Sequence, residues 1–389
     1  MPLLSAYLEK NAMANPMRLI LGAPVTGDDF FPRDDVVAAL QRGLEAEHIL
    51  FLAPRRTGKT SLLKEVAKQP SSGAKAIYIN LERFSHPKDW IAQMAKELVK
   101  HKGWFATKQK VGGFLSRIES EFFKLTETDW TDSAGTFLEE LSRLDRPVLF
   151  LLDEFPIMIN LFAKRHGELE AESALRWFRA WRQENLGGNV RFLLTGSIGL
   201  DSVVRRLGFP DAINDLRRQE LWPLQDAEAI AMTQRLACNN CGLDAPLAAE
   251  LAEEFLRLAG MAWPYFLQLF VAELQEANSR PATLASVKSL YDKVVFGKRN
   301  QYAEHMWKRL NDVFPAPLAD AARAMLRLVA ESSNGVERQE LRARTPAIEP
   351  EDFNYVLDVL GHDGYLRETD DGRFVFFSNL LRDYWQRKG

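Results

Sequence analysis

The sequence predicts an α/β chain with a parallel sheet first, a wholly helical stretch second, and a small unit of three helices and a hairpin last. Three observations carry this. Short runs at 49–53, 76–81, 148–152 and 190–194, apolar but for Asn80 and Arg191, alternate with helical patterns, as strands of a parallel sheet covered on both faces do. From Asp226 the apolar spacing becomes wholly helical. Near the end, 365–369 and 373–377 flank Asp370-Asp371-Gly372, a hairpin signal.

At 389 residues the chain has room for two or three domains. The expected division is 1–225 for a lead-in and the sheet, 226–314 for the helical stretch, and 315–389 for the last unit, with Phe314-Pro315-Ala316-Pro317 at the boundary. A hydrophobic content of 46% with 26% charged residues is that of a soluble globular protein. A net charge of -3 gives no global attraction to nucleic acid, so any such binding needs a local patch. No apolar run approaches the ~20 residues of a membrane span, and Glu9, Lys10 and Asn11 interrupt any signal-peptide pattern. The only cysteines, Cys238 and Cys241, have no second pair to complete a zinc site and read as reduced thiols. This usage fits a cytoplasmic location.

In chain order, Phe30 to Arg33 enter a helix marked by Val36, Val37, Leu40 and Leu44, and form a candidate wall on the adenine side of a nucleotide. A plain helix entry is the alternative. Residues 49–53 form a buried strand that runs into Pro54-Arg55-Arg56-Thr57-Gly58-Lys59-Thr60-Ser61. This is the phosphate-binding pattern G-x-x-x-x-G-K-[ST], with Ala53 standing where the pattern opens with glycine. Backbone N–H groups of residues 55–61, unpaired at a helix start, can surround a polyphosphate. Lys59 is the candidate for neutralising the β- and γ-phosphates, and Thr60 for holding Mg²⁺.

A second strand, 76–81, follows the turn Pro70-Ser71-Ser72-Gly73, and three helical patterns come next. They are lined by Trp90, Met94 and Leu98; by Leu115, Ile118, Phe122 and Leu125; and by Phe137, Leu141 and Leu144. Between the first two, residues 101–110 mix basic residues with Trp104 and Phe105, a combination able to hold single-stranded nucleic acid. A solvated connector is the bland alternative.

Residues 148–152 then end in Asp153-Glu154. Strand alternation sends the two carboxylates to different sides, so Asp153 is a candidate for the Mg²⁺ shell and Glu154 for the attacking water. A helix over 172–184 carries Arg176, Arg179 and Arg182, either a solvated face or a charge supplied to a neighbouring subunit's phosphate. The strand 190–194 ends in Thr195 and Ser197, hydroxyls suited to sensing the γ-phosphate. Residues 219–224 offer a last strand. In the helical stretch, Trp263-Pro264 opens a helix, with Trp263 to Phe266 placed to close over a base.

The last unit reads as a winged helix-turn-helix, with helices at 318–329, 336–344 and 350–360 before the hairpin. Its third helix, where DNA reading is expected, carries Glu349, Glu351, Asp352 and Asp358 and no Lys or Arg. Arg338, Arg342 and Arg344 are the nearby compensation, and docking of a protein is the favoured reading.

With P-R-R-T-G-K-T-S-L-L, L-L-D-E-F, F-L-L-T-G-S, a helical stretch containing W-P-Y-F-L-Q and a terminal winged helix, residues 18–389 resemble the archaeal-type ATPases of the AAA+/STAND P-loop NTPases. The resemblance implies a sheet in which the Thr195 strand separates the Asp153 strand from the Gly58 strand. It further implies that Lys59 and Thr60 bind phosphate and Mg²⁺, Asp153 holds the metal, Glu154 polarises water, and Thr195 or Ser197 is the first sensor. Pro264 would be the nucleotide-facing proline of a lid at 226–314; Arg33 stays a candidate only through its place before the loop in the Phe30 to Arg33 stretch. Many AAA+ relatives carry, at a lid position, an arginine that senses the γ-phosphate. The W-P-Y-F-L-Q stretch has none, which favours a switch over a motor.

The expected activity is slow or partner-stimulated ATP hydrolysis with Mg²⁺, coupling nucleotide state to a winged helix that docks a protein. A DNA-dependent ATPase acting in loading or recombination is the alternative, and a homo-oligomer is open. A third reading, an ATP-binding module without catalysis, leaves Glu154 unexplained.

Overall fold

The computed structural model describes residues 16–70, 73–101, 130–142, 146–185, 188–196, 199–277, 282–345 and 348–388. The predicted helix lined by Leu115 to Leu125, the basic–aromatic residues 102–110 and Ser197 lie outside them. Two compact units emerge. One comprises Arg33–Leu52 with Leu62–Leu221; the other comprises Met1–Pro32, Ala53–Ser61 and Trp222–Gly389.

The first unit is built on a sheet. Helix α1 (Asp34–Ala46) starts with two acids that complement its N-terminus, and buries Val36, Leu40 and Leu44. Strand β1 (Ile49–Leu52) precedes the loop and α2 (Lys59–Lys68). Strand β2 (Lys75–Asn80), α3 (Pro87–Lys100), α4 (Trp130–Ser142) and β3 (Val148–Asp153) follow. Then come α5 (Phe155–His166), α6 (Glu168–Glu184), β4 (Val190–Gly196), α7 (Leu200–Arg206) and β5 (Arg217–Glu220).

The strands are parallel in the order β2-β3-β4-β1-β5, so β4 separates β3 from β1 as the resemblance implies. Strands β3 and β4 are buried along their whole length, the physical reason that their sequences are apolar apart from Arg191 and the strand-end Asp153 and Thr195. Strand β5 starts at Arg217, opposite Ile49, rather than at 219 as expected. It is an edge strand of Arg217, Arg218, Gln219 and Glu220, mostly exposed, and charged residues there discourage pairing with another chain. Aromatics fill the core on one face: Phe150 stacks on Phe192 at 5.7 Å, and Trp90 meets Phe178 edge-on at 5.2 Å.

Helix α6 begins at Glu168, four residues before the predicted start, and its arginine row is not one solvated face. Arg182 is buried and makes two 2.8 Å bonds to the Asp215 carboxylate, with a third to Ala212 O. Arg176 pairs with Glu172 and lies over the Phe209 ring, while Arg179 donates to Asn214. Arg206 meets Glu168 and Asn160.

The second unit is helical up to its C-terminal sheet. Helices α8 (Asp226–Cys241), α9 (Ala245–Ala259), α10 (Pro264–Glu276) and α11 (Leu284–Phe296) surround a core that includes Phe255 stacked on Phe270 at 4.3 Å. Cys238 and Cys241 are half-buried and form no disulfide, and burial raises both thiols above their ordinary pKa, which lowers their thiolate character. After α12 (Gln301–Val313) come α13 (Ala316–Glu331), β6 (Val336–Glu337), α14 (Arg338–Arg344), α15 (Pro350–His362), β7 (Leu366–Glu368), β8 (Arg373–Phe376) and α16 (Asn379–Lys388).

This is the element order of a winged helix, with one change from the expectation. Val336 and Glu337 are not the start of the second helix; they pair with Phe374 and Arg373, so the hairpin gains a third strand. Among the described residues no helix is long and apolar enough to cross a membrane.

Candidate functional site

Two groups of predicted site residues take shape, one in each unit. The first is the loop 53–61. Gly58 has φ +97, a conformation open to glycine, and a Cβ built there would meet nothing within 4 Å, so the space beside the loop is clear. Lys59 folds back over the loop, donating from Nζ to Ala53 O at 2.6 Å and Pro54 O at 2.9 Å. An anion offered to this ammonium would replace carbonyl partners, an exchange that favours the charged ligand. Thr57 closes the loop through its hydroxyl to Pro54 O at 2.8 Å, and the Ser61 hydroxyl accepts the Val25 N–H at 3.0 Å. Thr60 lies in the first turn of α2. These residues fit a polyphosphate.

The loop is also tied to helices of its own unit, a feature absent from the sequence reading. Arg56 donates to the Tyr265 hydroxyl and lies over the Tyr265 ring, 4.4 Å from its centre. It donates again to Gln301 Oε1 at 3.4 Å. Burial raises the Tyr265 phenol, which therefore stays neutral. Arg55 Nη1 lies 3.0 Å from His305 Nε2, and because a guanidinium only donates, Nε2 is the acceptor. Pro54 packs on Gly364, where an added Cβ would come 2.5 Å from Pro54 Cγ. Pro264 occupies the first turn of α10, immediately before Tyr265, and the preceding Trp263 is buried against Phe377.

The second group sits at the C-terminal ends of β3 and β4. The buried Asp153 carboxylate accepts the Tyr78 hydroxyl at 3.0 Å, the Glu154 N–H at 3.1 Å and the Thr195 hydroxyl at 3.5 Å. Burial, and next the Asp153 charge, push the Tyr78 phenol well above its usual pKa, so it remains a donor. Glu154 adopts φ +58, one of two described non-glycine residues at positive φ; the other is Arg56 in the loop. Each costs on the order of 1 kcal/mol, and such outliers concentrate at functional positions. Glu154 turns the chain from β3 into α5, whose Pro156 leaves no room for a side chain at Gly196.

Among the described residues no three His, Cys, Asp or Glu cluster as a metal cage. Mg²⁺ needs none, since it is commonly held by one carboxylate, a hydroxyl and substrate phosphates. A buried carboxylate held by neutral donors fits that use. Arg33 is buried at the start of α1, in the sheet unit, whereas Phe30 to Pro32 belong to the other unit. Tyr78, Gly196, Gln301, His305 and Gly364 are not singled out by sequence, and Tyr265 is read there only within the Trp263 to Phe266 stretch placed to close over a base. A tyrosine inside the apolar run of β2 is the one signal available, since a half-buried phenol needs a partner.

No family model matches the sequence, and no curated protein matches it. Among solved structures, the Aeropyrum pernix ORC2 protein (ADPNP-ADP complexes) matches with TM-score 0.51 and 14% identity, over 92% of this chain and 95% of that chain. The fold is that of the AAA+ P-loop ATPases. Two others align less well: the Aeropyrum pernix ORC1 protein in complex with DNA, at TM-score 0.41 and 15% identity over 94% of both chains, and the Thermotoga maritima RuvB Holliday junction branch migration motor, at 0.37 and 14% over 90% and 94%. This likeness of fold rests on the first, and on the strand order with the loop 53–61 after β1.

Proposed function

We propose that the chain binds ATP with Mg²⁺ and hydrolyses it slowly, as a switch that couples nucleotide state to its helical and winged-helix parts. One observation carries this: the end of β3 gathers two hydroxyls and an N–H on Asp153, one strand away from the strand that leads into the loop. Lys59 neutralises the β- and γ-phosphates, with Pro54, Arg55, Arg56, Thr57, Gly58, Thr60 and Ser61 forming the surrounding loop. Thr60 and Asp153 hold Mg²⁺, which would offset charge on the transferred phosphate. Glu154 polarises the attacking water; Thr195, and Ser197 after it, report on the γ-phosphate. Pro264 is the nucleotide-facing residue of a lid at 226–314, and Arg33 contributes on the adenine side.

The contacts of Pro54, Arg55 and Arg56 with Gly364, His305 and Tyr265 support the coupling, because a change in loop conformation must reach three separate elements. The winged helix at 315–389 is proposed to dock a protein rather than duplex DNA. Its α15 exposes Glu351 and Asp358, which would face phosphates with like charge.

The test is steady-state ATP hydrolysis with and without duplex DNA, using Lys59→Ala as the blank. Slow turnover indifferent to DNA supports the switch. Strong stimulation by DNA replaces it with the DNA-dependent ATPase, and turnover equal to the blank removes the activity.

A further inference from the structure

Away from the loop, a cleft of about 730 Å³ opens between the α11–α12 connection, α12 and the C-terminal helix α16. Its charged lining is one-sided. Among the described residues of the lining, Lys298, Lys308, Arg387 and Lys388 are set against one carboxylate, Glu304. That carboxylate is already committed: it accepts the Tyr384 hydroxyl at 2.6 Å and pairs with Lys388 at 3.0 Å and Lys308 at 3.2 Å. These contacts, Tyr384 first, hold its pKa down to about 2, so it stays ionised and supports the two lysines as cations. Arg387 lies over the Phe296 ring at 4.4 Å, with its charge on the cleft side of an apolar wall.

The volume is that of a small-molecule site rather than a groove for a macromolecule. Lysines present compact point charges suited to phosphoryl groups, and Phe296 and Tyr384 offer apolar surface to an organic body. Two other lining residues, Gln301 and His305, face the cleft and also hold Arg56 and Arg55 of the phosphate loop.

We propose that this cleft binds a small organic phosphate with at least two negative charges, and that its occupancy reaches the phosphate loop through Gln301 and His305. Gln301 accepts from Arg56 through Oε1 and His305 from Arg55 through Nε2, so a ligand oxygen that takes a hydrogen bond from the Gln301 amide N–H or the His305 Nδ1–H reorients those side chains and displaces the acceptors that Arg56 and Arg55 use. One helix, α12, carries both residues, so the two arginines respond together. The coupling rests on the loop being a nucleotide site; the binding does not.

The test uses fructose 1,6-bisphosphate as probe, a bisphosphate without a base, titrated calorimetrically into the full chain with and without saturating Mg²⁺-ADP. Saturable binding is expected in both conditions. It should be unchanged in Lys59→Ala and weakened about fivefold by Lys298→Ser or Arg387→Ser, the effect of one charge removed at close range in water. Both variants should keep the wild-type melting transition. Absence of saturable binding overturns the site, as does binding lost in Lys59→Ala or indifferent to both cleft variants.

The second measurement is release of a fluorescent ADP, expected to change about fivefold or more with the probe present and to lose that response in Gln301→Ala/His305→Ala. Binding at the cleft with unaltered release overturns the coupling. If the chain binds no ADP, the nucleotide reading fails, and the titration without nucleotide still decides the cleft.

Discussion

A methyl group on Gly196 would stand 2.4 Å from Cδ and 2.7 Å from Cγ of Pro156. The end of β4 and the start of α5 therefore pack too closely for any side chain, and Glu154 is the residue that turns the chain into that helix. Gly196→Ala must displace the proline ring, and with it the Glu154 turn. The expected result is a loss of about 2 kcal/mol in stability, typical of overpacking. ATP hydrolysis should fall at least tenfold while nucleotide affinity, measured by titration, changes little. Adding Pro156→Ala should restore most of both losses.

Glu154→Gln removes a carboxylate and keeps its shape. If Glu154 acts on the attacking water, turnover falls about a hundredfold or more while ATP stays bound. The left-handed backbone at this position, φ +58, adds a second readout. Glu154→Gly should lose turnover equally but relieve backbone strain, and so unfold at no lower denaturant concentration than Glu154→Gln. Rapid hydrolysis by either variant would remove the role.

How much of this was legible in the sequence depends on the range of the interaction. Asp153 and Thr195 stand at the ends of mostly apolar runs, and Lys59 closes the G-K-T pattern at a helix start, so local pattern alone marked all three. The strand order came from resemblance, since pairing is non-local and no run specifies its neighbour. The arginine row of α6 shows the limit most sharply. Arg176, Arg179 and Arg182 are equivalent by spacing, yet Arg182 alone is buried, because Asp215 lies thirty-three residues away in sequence and beside it in space. The loop contacts of Tyr265, Gln301, His305 and Gly364 were hidden for the same reason.

Arg182→Ala should therefore act on stability. It leaves Asp215 buried without its cation, a loss of roughly 3 to 5 kcal/mol by chemical denaturation. Arg176→Ala, which breaks an exposed pair with Glu172, should cost no more than about 1 kcal/mol. If Arg182→Ala proved as stable as wild type yet slow in hydrolysis, the residue would have to serve a phosphate instead.

His48 precedes β1 and accepts the Phe192 N–H at Nδ1, 3.1 Å away. Burial chiefly, with the Arg182 and Arg191 charges, pushes its pKa down from 6.5 to about 3. The unfolded chain therefore binds a proton that the folded chain refuses. Stability from this residue is whole above pH 6.5 and is lost as pH falls toward 3, at up to about 1.4 kcal/mol per pH unit. His48→Asn, which keeps an acceptor for Phe192, should flatten that slope in denaturation curves recorded across this range. An unchanged slope would assign the acid sensitivity to other groups.

Gly364 offers a test of the link between the C-terminal part, 315–389, and the loop 53–61 that is proposed to bind phosphate. It has φ +73, and a Cβ there would meet Pro54 Cγ at 2.5 Å, in the loop itself. Gly372 in the hairpin has nearly the same backbone, φ +77, but a Cβ there meets nothing closer than Glu368 Oε1 at 4.0 Å. Both alanine variants lose about 1 kcal/mol to the left-handed conformation. Only Gly364→Ala should also push on Pro54, and its ADP affinity should fall several-fold where that of Gly372→Ala does not. Equal affinities in the two variants would mean that the contact at Pro54 carries no information to the loop, and the coupling would have to pass through Arg55 and Arg56 alone.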